Sequence, residues 1–153
     1  MIVVSDTSPI TALLTVGQTD ILQALFGKVL IPPSVQRELL ATHQSLPPWL
    51  GTAGVRDSAH VERLAGMLDF GEAEAIVLAI EAHADVLLID ERRGRRLASA
   101  EGVHVIGLLG VILLAKRRGL IGSARDLLSL LRSEAGMYLA EDVLLRAVES
   151  VGE

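Results

Sequence analysis

The sequence predicts an α/β fold: a three-layer α/β/α sandwich around a five-stranded, mainly parallel sheet. Two observations carry that prediction. Short β-branched and aliphatic runs alternate with longer helical stretches along all 153 residues, and strands separated by helices pair in parallel through right-handed crossovers. Half the residues are hydrophobic and the mean hydropathy is +0.47, which supplies a sizeable core and excludes a disordered chain. The length suits one domain, residues 1–153.

The elements follow in order. Met1–Ser5 reads as a buried strand ending at Asp6. Ser8 before Pro9 predicts a helix start, with Ser8 as N-cap. A second helix spans Asp20–Phe26, closed by Gly27. Lys28–Ile31 is the second strand, stopped by Pro32-Pro33, and a helix runs from Ser34 to Thr42. The stretch from His43 to Thr52 reads as a loop, and Ala53–Asp57 as a third, weaker strand before a short helix. Glu72–Ala84 is a strongly apolar helix introduced by Gly71. Val86–Ile89 is the fourth strand, ending at Asp90, and Glu91–Glu101 is helical. Val103–Ile106 is the fifth strand, and Leu108–Arg118 a helix closed by Gly119. Helices over Ser123–Ser133 and Leu139–Val151 complete the chain.

Composition narrows the function. A net charge of −5 argues against holding nucleic acid by bulk positive charge. The four aromatic residues are Phe26, Trp49, Phe70 and Tyr138, too few for rows of base-stacking rings. The absence of cysteine excludes disulfides, Cys-ligated zinc and thiol nucleophiles. The longest apolar stretch, Val103–Ala115, falls short of the roughly 20 residues of a membrane span. The amino terminus lacks the basic region of a signal peptide, so a cytoplasmic protein is expected.

In open α/β sheets, ligands bind beyond the carboxyl ends of the strands. Asp6 follows the first strand there and Asp90 the fourth, whereas Asp85 precedes the fourth strand and reads as a turn residue. Glu72 heads an apolar helix face with Ala75, Ile76 and Ala79. Glu74 shares a more polar stripe with Leu78 and Glu81 and stands as an auxiliary candidate. Glu38 lies between Val35 and Leu39 on the helix after the second strand. Each acid has a plainer reading as helix cap, helix-dipole partner or surface charge. Together they direct several carboxylates at one sheet edge, where like charges repel unless a cation sits between them. All-oxygen ligation suits Mg²⁺ or Mn²⁺.

Arg92, Arg93, Arg95 and Arg96 directly follow Asp90, and Lys116–Arg118 end a later helix. The first group, Arg92, Arg93 and Arg96 above all, starts beside the acid edge and reads either as a contact for phosphate groups or as a solvated helix face. Lys116–Arg118 also suit a helix carboxyl end. The four histidines are too scattered for a recognised metal motif, and Gly107 and Gly110 do not form a dinucleotide loop. A phosphotransfer receiver domain would need paired acids after the opening strand, which are missing.

These residues carry a recognisable pattern. The segments VVSDTSP, VLIPPSVQREL, LDFGEAEAIVLAIEAHADVLLIDERRGRRLA and VIGLLGVILLAKRRGLI, with the closing VESVGE, resemble PIN-domain proteins over nearly the whole chain. The likeness is to VapC-type ribonuclease toxins, in a compact prokaryotic subgroup. It implies acids holding Mg²⁺ or Mn²⁺ that cleave single-stranded RNA, with Asp6, Glu38, Glu72 and Asp90 at the corresponding positions. The family's third acid is commonly aspartate, and here spacing back from Asp90 puts a glutamate there. The segment LIDERRG also lacks the Thr-x-Asp of many toxins.

The expected function is therefore a metal-dependent endoribonuclease, the toxin of a type II toxin–antitoxin pair, with RNA as substrate and a cognate antitoxin as partner. The alternative is a PIN-like protein-binding module with weak or no nuclease activity. A homodimer is expected by resemblance. The leucines at 13–14 and 22–25 serve either the core or a groove for a second copy or the antitoxin.

Overall fold

A computed structural model describes residues 1–153. The strands are β1 (Val3–Ser5), β2 (Val29–Ile31), β3 (Leu50–Thr52), β4 (Val86–Leu88) and β5 (Val105–Ile106). The helices are α1 (Thr7–Thr15), α2 (Asp20–Phe26), α3 (Pro33–Thr42), α4 (Ser58–Ala65), α5 (Phe70–Glu81), α6 (Arg92–Ala100), α7 (Leu108–Arg117), α8 (Ala124–Glu134) and α9 (Glu141–Ser150). All strand pairs are parallel, in the order β3-β2-β1-β4-β5. The chain winds outward from β1 to β3, then crosses back to build β4 and β5 on the other side. The order therefore reverses between β1 and β4, and a crevice opens there at the carboxyl ends of the strands.

Alternation along each strand splits the core in two. Val3 and Leu88 face a cluster of 23 buried residues shared with α1, α2, α7, α8 and α9. Val4, Leu87 and Ile89 face a cluster of 14 shared with α4, α5 and α6. This is the three-layer sandwich the sequence predicts. Leu13, Leu22 and Leu25 are buried in the first cluster, and Leu14 packs against it. Asp85 ties the entries of β1 and β4, since its Oδ2 accepts from Ile2 N at 2.6 Å while its own N–H donates to the Ile2 carbonyl at 2.7 Å.

The structure corrects several boundaries. The third strand is Leu50–Thr52, inside the stretch read as loop, and not Ala53–Asp57. Leu50 is buried and pairs with Val29, whereas the backbone of Arg56 and Asp57 is held by the Glu81 carboxylate and Asp57 caps α4. Prolines just before Leu50 outweighed a signal only three residues long. Helix α1 starts at Thr7, so Ser8 lies within its first turn and Asp6 occupies the N-cap position without a side-chain cap bond. Pro9 is accommodated because first-turn N–H groups have no intrahelical partner. Helix α5 opens two residues before Glu72, at Phe70. It ends before Ala84 because His83 takes φ +50° and the Ala84 N–H returns to the Ala79 carbonyl. That terminator usually falls to glycine and left no signal here.

Glu74 ties two of these helices together. It is 7% exposed, and its Oε1 accepts from Ser34 N at 2.9 Å and Ser34 Oγ at 2.7 Å, serving the N-terminal turn of α3. Losing an acceptor for buried donors costs about 1–3 kcal/mol. Glu74→Ala should lower unfolding free energy by that amount in urea titration, and Glu74→Gln, which keeps an acceptor oxygen, by much less.

Candidate metal-binding cleft

The crevice beside β1 and β4 is a cavity of about 1080 Å³ that receives six carboxylates: Asp6, Glu38, Asp69, Glu72, Asp90 and Glu91. Asp6 extends β1, its N–H bonded to the Leu88 carbonyl at 2.9 Å, and is 6% exposed. Asp90 lies just past β4, and its Oδ1 accepts from Leu108 N at 2.6 Å. It thus serves the start of α7, not that of α6 directly after it. Glu72 sits in the first turn of α5, where its N–H donates to Asp69 Oδ1 at 2.8 Å. Glu38 reaches in from α3.

Two glycines make room for this gathering. A Cβ on Gly71 would lie 2.5 Å from Glu38 Oε1, and one on Gly94 would lie 2.8 Å from Glu72 Oε2. Neither approach survives a side chain at those positions.

The four acids singled out in the sequence, Asp6, Glu38, Glu72 and Asp90, all line the cavity, while Glu74 points away to Ser34. Of the arginines, Arg92 lines it and Arg93 and Arg96 do not. Arg95, one helical turn from Arg92, lines it instead and favours the charged form of Asp90. Sequence reasoning missed Asp69 as a site residue. Its signal was the Asp-x-x-Glu spacing of Asp69 and Glu72, which marks a helix start.

The site is electrostatically costly. Burial, reinforced by the carboxylates of Asp69, Glu38 and Asp90, raises the Asp6 pKa to about 7, against a stabilising bond from the Thr7 backbone. Burial also raises Glu72, and the adjoining Asp69 side chain adds to the shift. Asp90 is raised by burial, opposed by the Leu108 N–H and Arg95.

The donor set fits a hard divalent cation. Only two buried side-chain oxygens in the chain lack a hydrogen-bond partner, Thr7 Oγ1 and Glu72 Oε2, and both residues line this cavity. Unpartnered buried oxygens in a negative pocket are what a cation satisfies. No three His, Asp or Glu side chains close into a ready-made ion cage.

A family model described as a PIN domain matches residues 2–153. The chain belongs to the PIN-domain family. PIN domains are in general nucleases that use divalent metal. Among curated proteins, none matches the chain. No helix of this PIN domain is long and apolar enough to cross a membrane.

The raised pKa of Asp6 has a definite consequence for stability. Its folded value, about 7, exceeds the ordinary 3.8, so between these values the folded state holds more protons than the unfolded state. Its contribution is present below about pH 4 and is lost as pH rises towards 7. In EDTA, melting temperature should therefore fall across that window, and Asp6→Asn should flatten the fall. A rise in melting temperature over the same window in the unmodified protein would contradict this electrostatic account.

Proposed function

We propose that this PIN domain is a metal-dependent endoribonuclease acting on single-stranded RNA, and that it is the toxin of a type II toxin–antitoxin pair. The observation that carries the nuclease reading is the meeting of Asp6, Glu38, Glu72 and Asp90 in one cavity with the unpartnered oxygens of Thr7 and Glu72. Asp6, Glu38, Glu72 and Asp90 would hold Mg²⁺ or Mn²⁺. Such an ion, when bound, supplies an activated water and neutralises charge building on a phosphodiester. Asp69 fixes the first turn of α5 through the Glu72 N–H and so sets where the Glu72 carboxyl enters. Arg92 and Arg95 share the cavity with the acids and would orient the scissile phosphate. Arg93 and Arg96, exposed on the same helix, would meet flanking phosphates.

The toxin role rests on the likeness of the chain's motifs to VapC-type proteins. An antitoxin or a second copy needs apolar surface, and Leu40 in α3, Phe70 at the start of α5 and Met67 just before it are exposed.

The test is cleavage of single-stranded RNA by purified protein with Mg²⁺ or Mn²⁺ and with EDTA. Activity should appear with metal and vanish in EDTA. Glu72→Gln should lower it by at least about 10- to 100-fold, the scale on which perturbing a metal's supporting groups acts. Glu74→Gln should retain most activity, because Glu74 lies outside the cavity. No cleavage across a broad RNA panel by folded, metal-bound protein would favour the protein-binding module instead.

A further inference from the structure

The cavity has two unlike walls. Besides the carboxylates and Arg92 and Arg95, it is lined by Leu108, Leu109 and the segment Ala135–Ala140 between α8 and α9. Gly136 takes φ +67° just past α8, and the Met137 N–H folds back to the Leu131 carbonyl at 3.1 Å. This left-handed termination turns the chain out of α8 into the segment that lines the cavity. It leaves Tyr138 there with 93% of its surface exposed.

That exposure calls for a reason. An aromatic ring is a large apolar surface that proteins usually bury; Phe26 and Trp49 pack against the core, and Phe70 is half exposed. Tyr138, the only tyrosine in the chain, is the most exposed of the large hydrophobic residues. It makes no side-chain hydrogen bond, yet it lines the cavity that holds the acids. Its neighbours Met137 and Leu139 are partly buried against the core and anchor the segment on both sides.

We propose that Tyr138 is a stacking platform for one unpaired nucleobase of the RNA, next to the phosphate held by Arg92 and Arg95. This rests on the nuclease reading above and adds a base subsite to it. A nucleotide carries an anionic phosphate and a flat apolar base, and the cavity offers a charged wall to one and an aromatic rim to the other. A ring that faces solvent accepts a base only if that base has left its own stack, so the platform selects single strands. It is sequence-tolerant, since every base has a π-face.

The experiment is binding of a short fluorescent single-stranded RNA, by anisotropy with Mg²⁺ present, in a Glu72→Gln background where cutting is slow on the timescale of the reading. Adding Tyr138→Ala should weaken binding by about tenfold, the usual scale for one base stacked on one ring, and Tyr138→Phe should preserve it. Replacing the bases by abasic residues should abolish the difference between Tyr and Ala. Because the side chain is exposed, melting temperature should not change. Equal affinity of Tyr138 and Ala proteins for base-bearing RNA overturns the platform while leaving metal-dependent cleavage intact, and leaves a protein contact as the role of the ring. An equal loss on abasic RNA also overturns it. If the unmodified protein neither binds nor cuts single-stranded RNA, platform and nuclease reading fall together.

Discussion

Like charges brought together in a place of low solvation set the terms for the rest of this molecule. Six carboxylates converge where the strand order reverses between β1 and β4, and burial, reinforced by these neighbours, raises the pKa of the most buried of them, Asp6, to about 7. Such a gathering persists only if the scaffold outweighs its repulsion. The scaffold here is two aliphatic clusters clamping the sheet on both faces, with Val3, Val4, Leu87 and Leu88 fully buried. Partial compensation comes from the backbone, since the Leu108 N–H holds Asp90 and the Glu72 N–H holds Asp69. Arg95 supplies a charge of opposite sign beside Asp90. What remains uncompensated is the oxygen of Glu72, and that remainder is what a divalent cation answers.

Glu72 and Glu74 show how two acids on one helix acquire different fates. They are equally buried, at 7% exposure each. A two-residue separation on an α-helix turns side chains by roughly 200°, so they leave α5 in different directions. Glu74 meets the N-terminal turn of α3, where two donors of Ser34 satisfy one of its oxygens. Glu72 meets Asp69, Asp6 and Glu91, all acids. One carboxylate therefore stabilises the packing of α3 on α5, and the other is left to a ligand. The tether also has a bearing on the site, because α3 carries Glu38 one helical turn beyond Ser34.

The fold was legible because its signals are long or doubly marked. Buried aliphatic strands and glycine-closed helices such as α2 stand out from their flanks, and the position of Asp6 and Asp90 at strand ends follows from the alternation alone. The third strand was misplaced because three residues at a sheet edge, set behind prolines, carry too little pattern; pairing with Val29 determines it. Among the site residues, distance in sequence hid less than helix phase did. Arg92 and Arg95 differ from Arg93 and Arg96 only by rotation about α6, which no composition reveals. Asp69 was hidden differently, since its spacing to Glu72 announced a cap and gave no hint that the cap also faces the cavity.

A net charge of −5 and the nuclease activity general to PIN domains look opposed, and the arrangement of the cleft offers a way to reconcile them. Long-range attraction of a polyanion is not available at this net charge, so on the proposed reading RNA would be held at short range within the cleft. Three short-range elements are present on separate pieces of the fold: carboxylates at the β1–β4 edge, arginines one turn apart on α6, and an apolar segment after α8. The acids repel phosphate until a cation lies among them, after which the same cluster becomes the point of attraction. On the nuclease reading proposed above, affinity for RNA would thereby be conditional on metal. The arginines and the apolar segment need no cation, and on the same reading they would determine where along the strand the phosphate comes to rest.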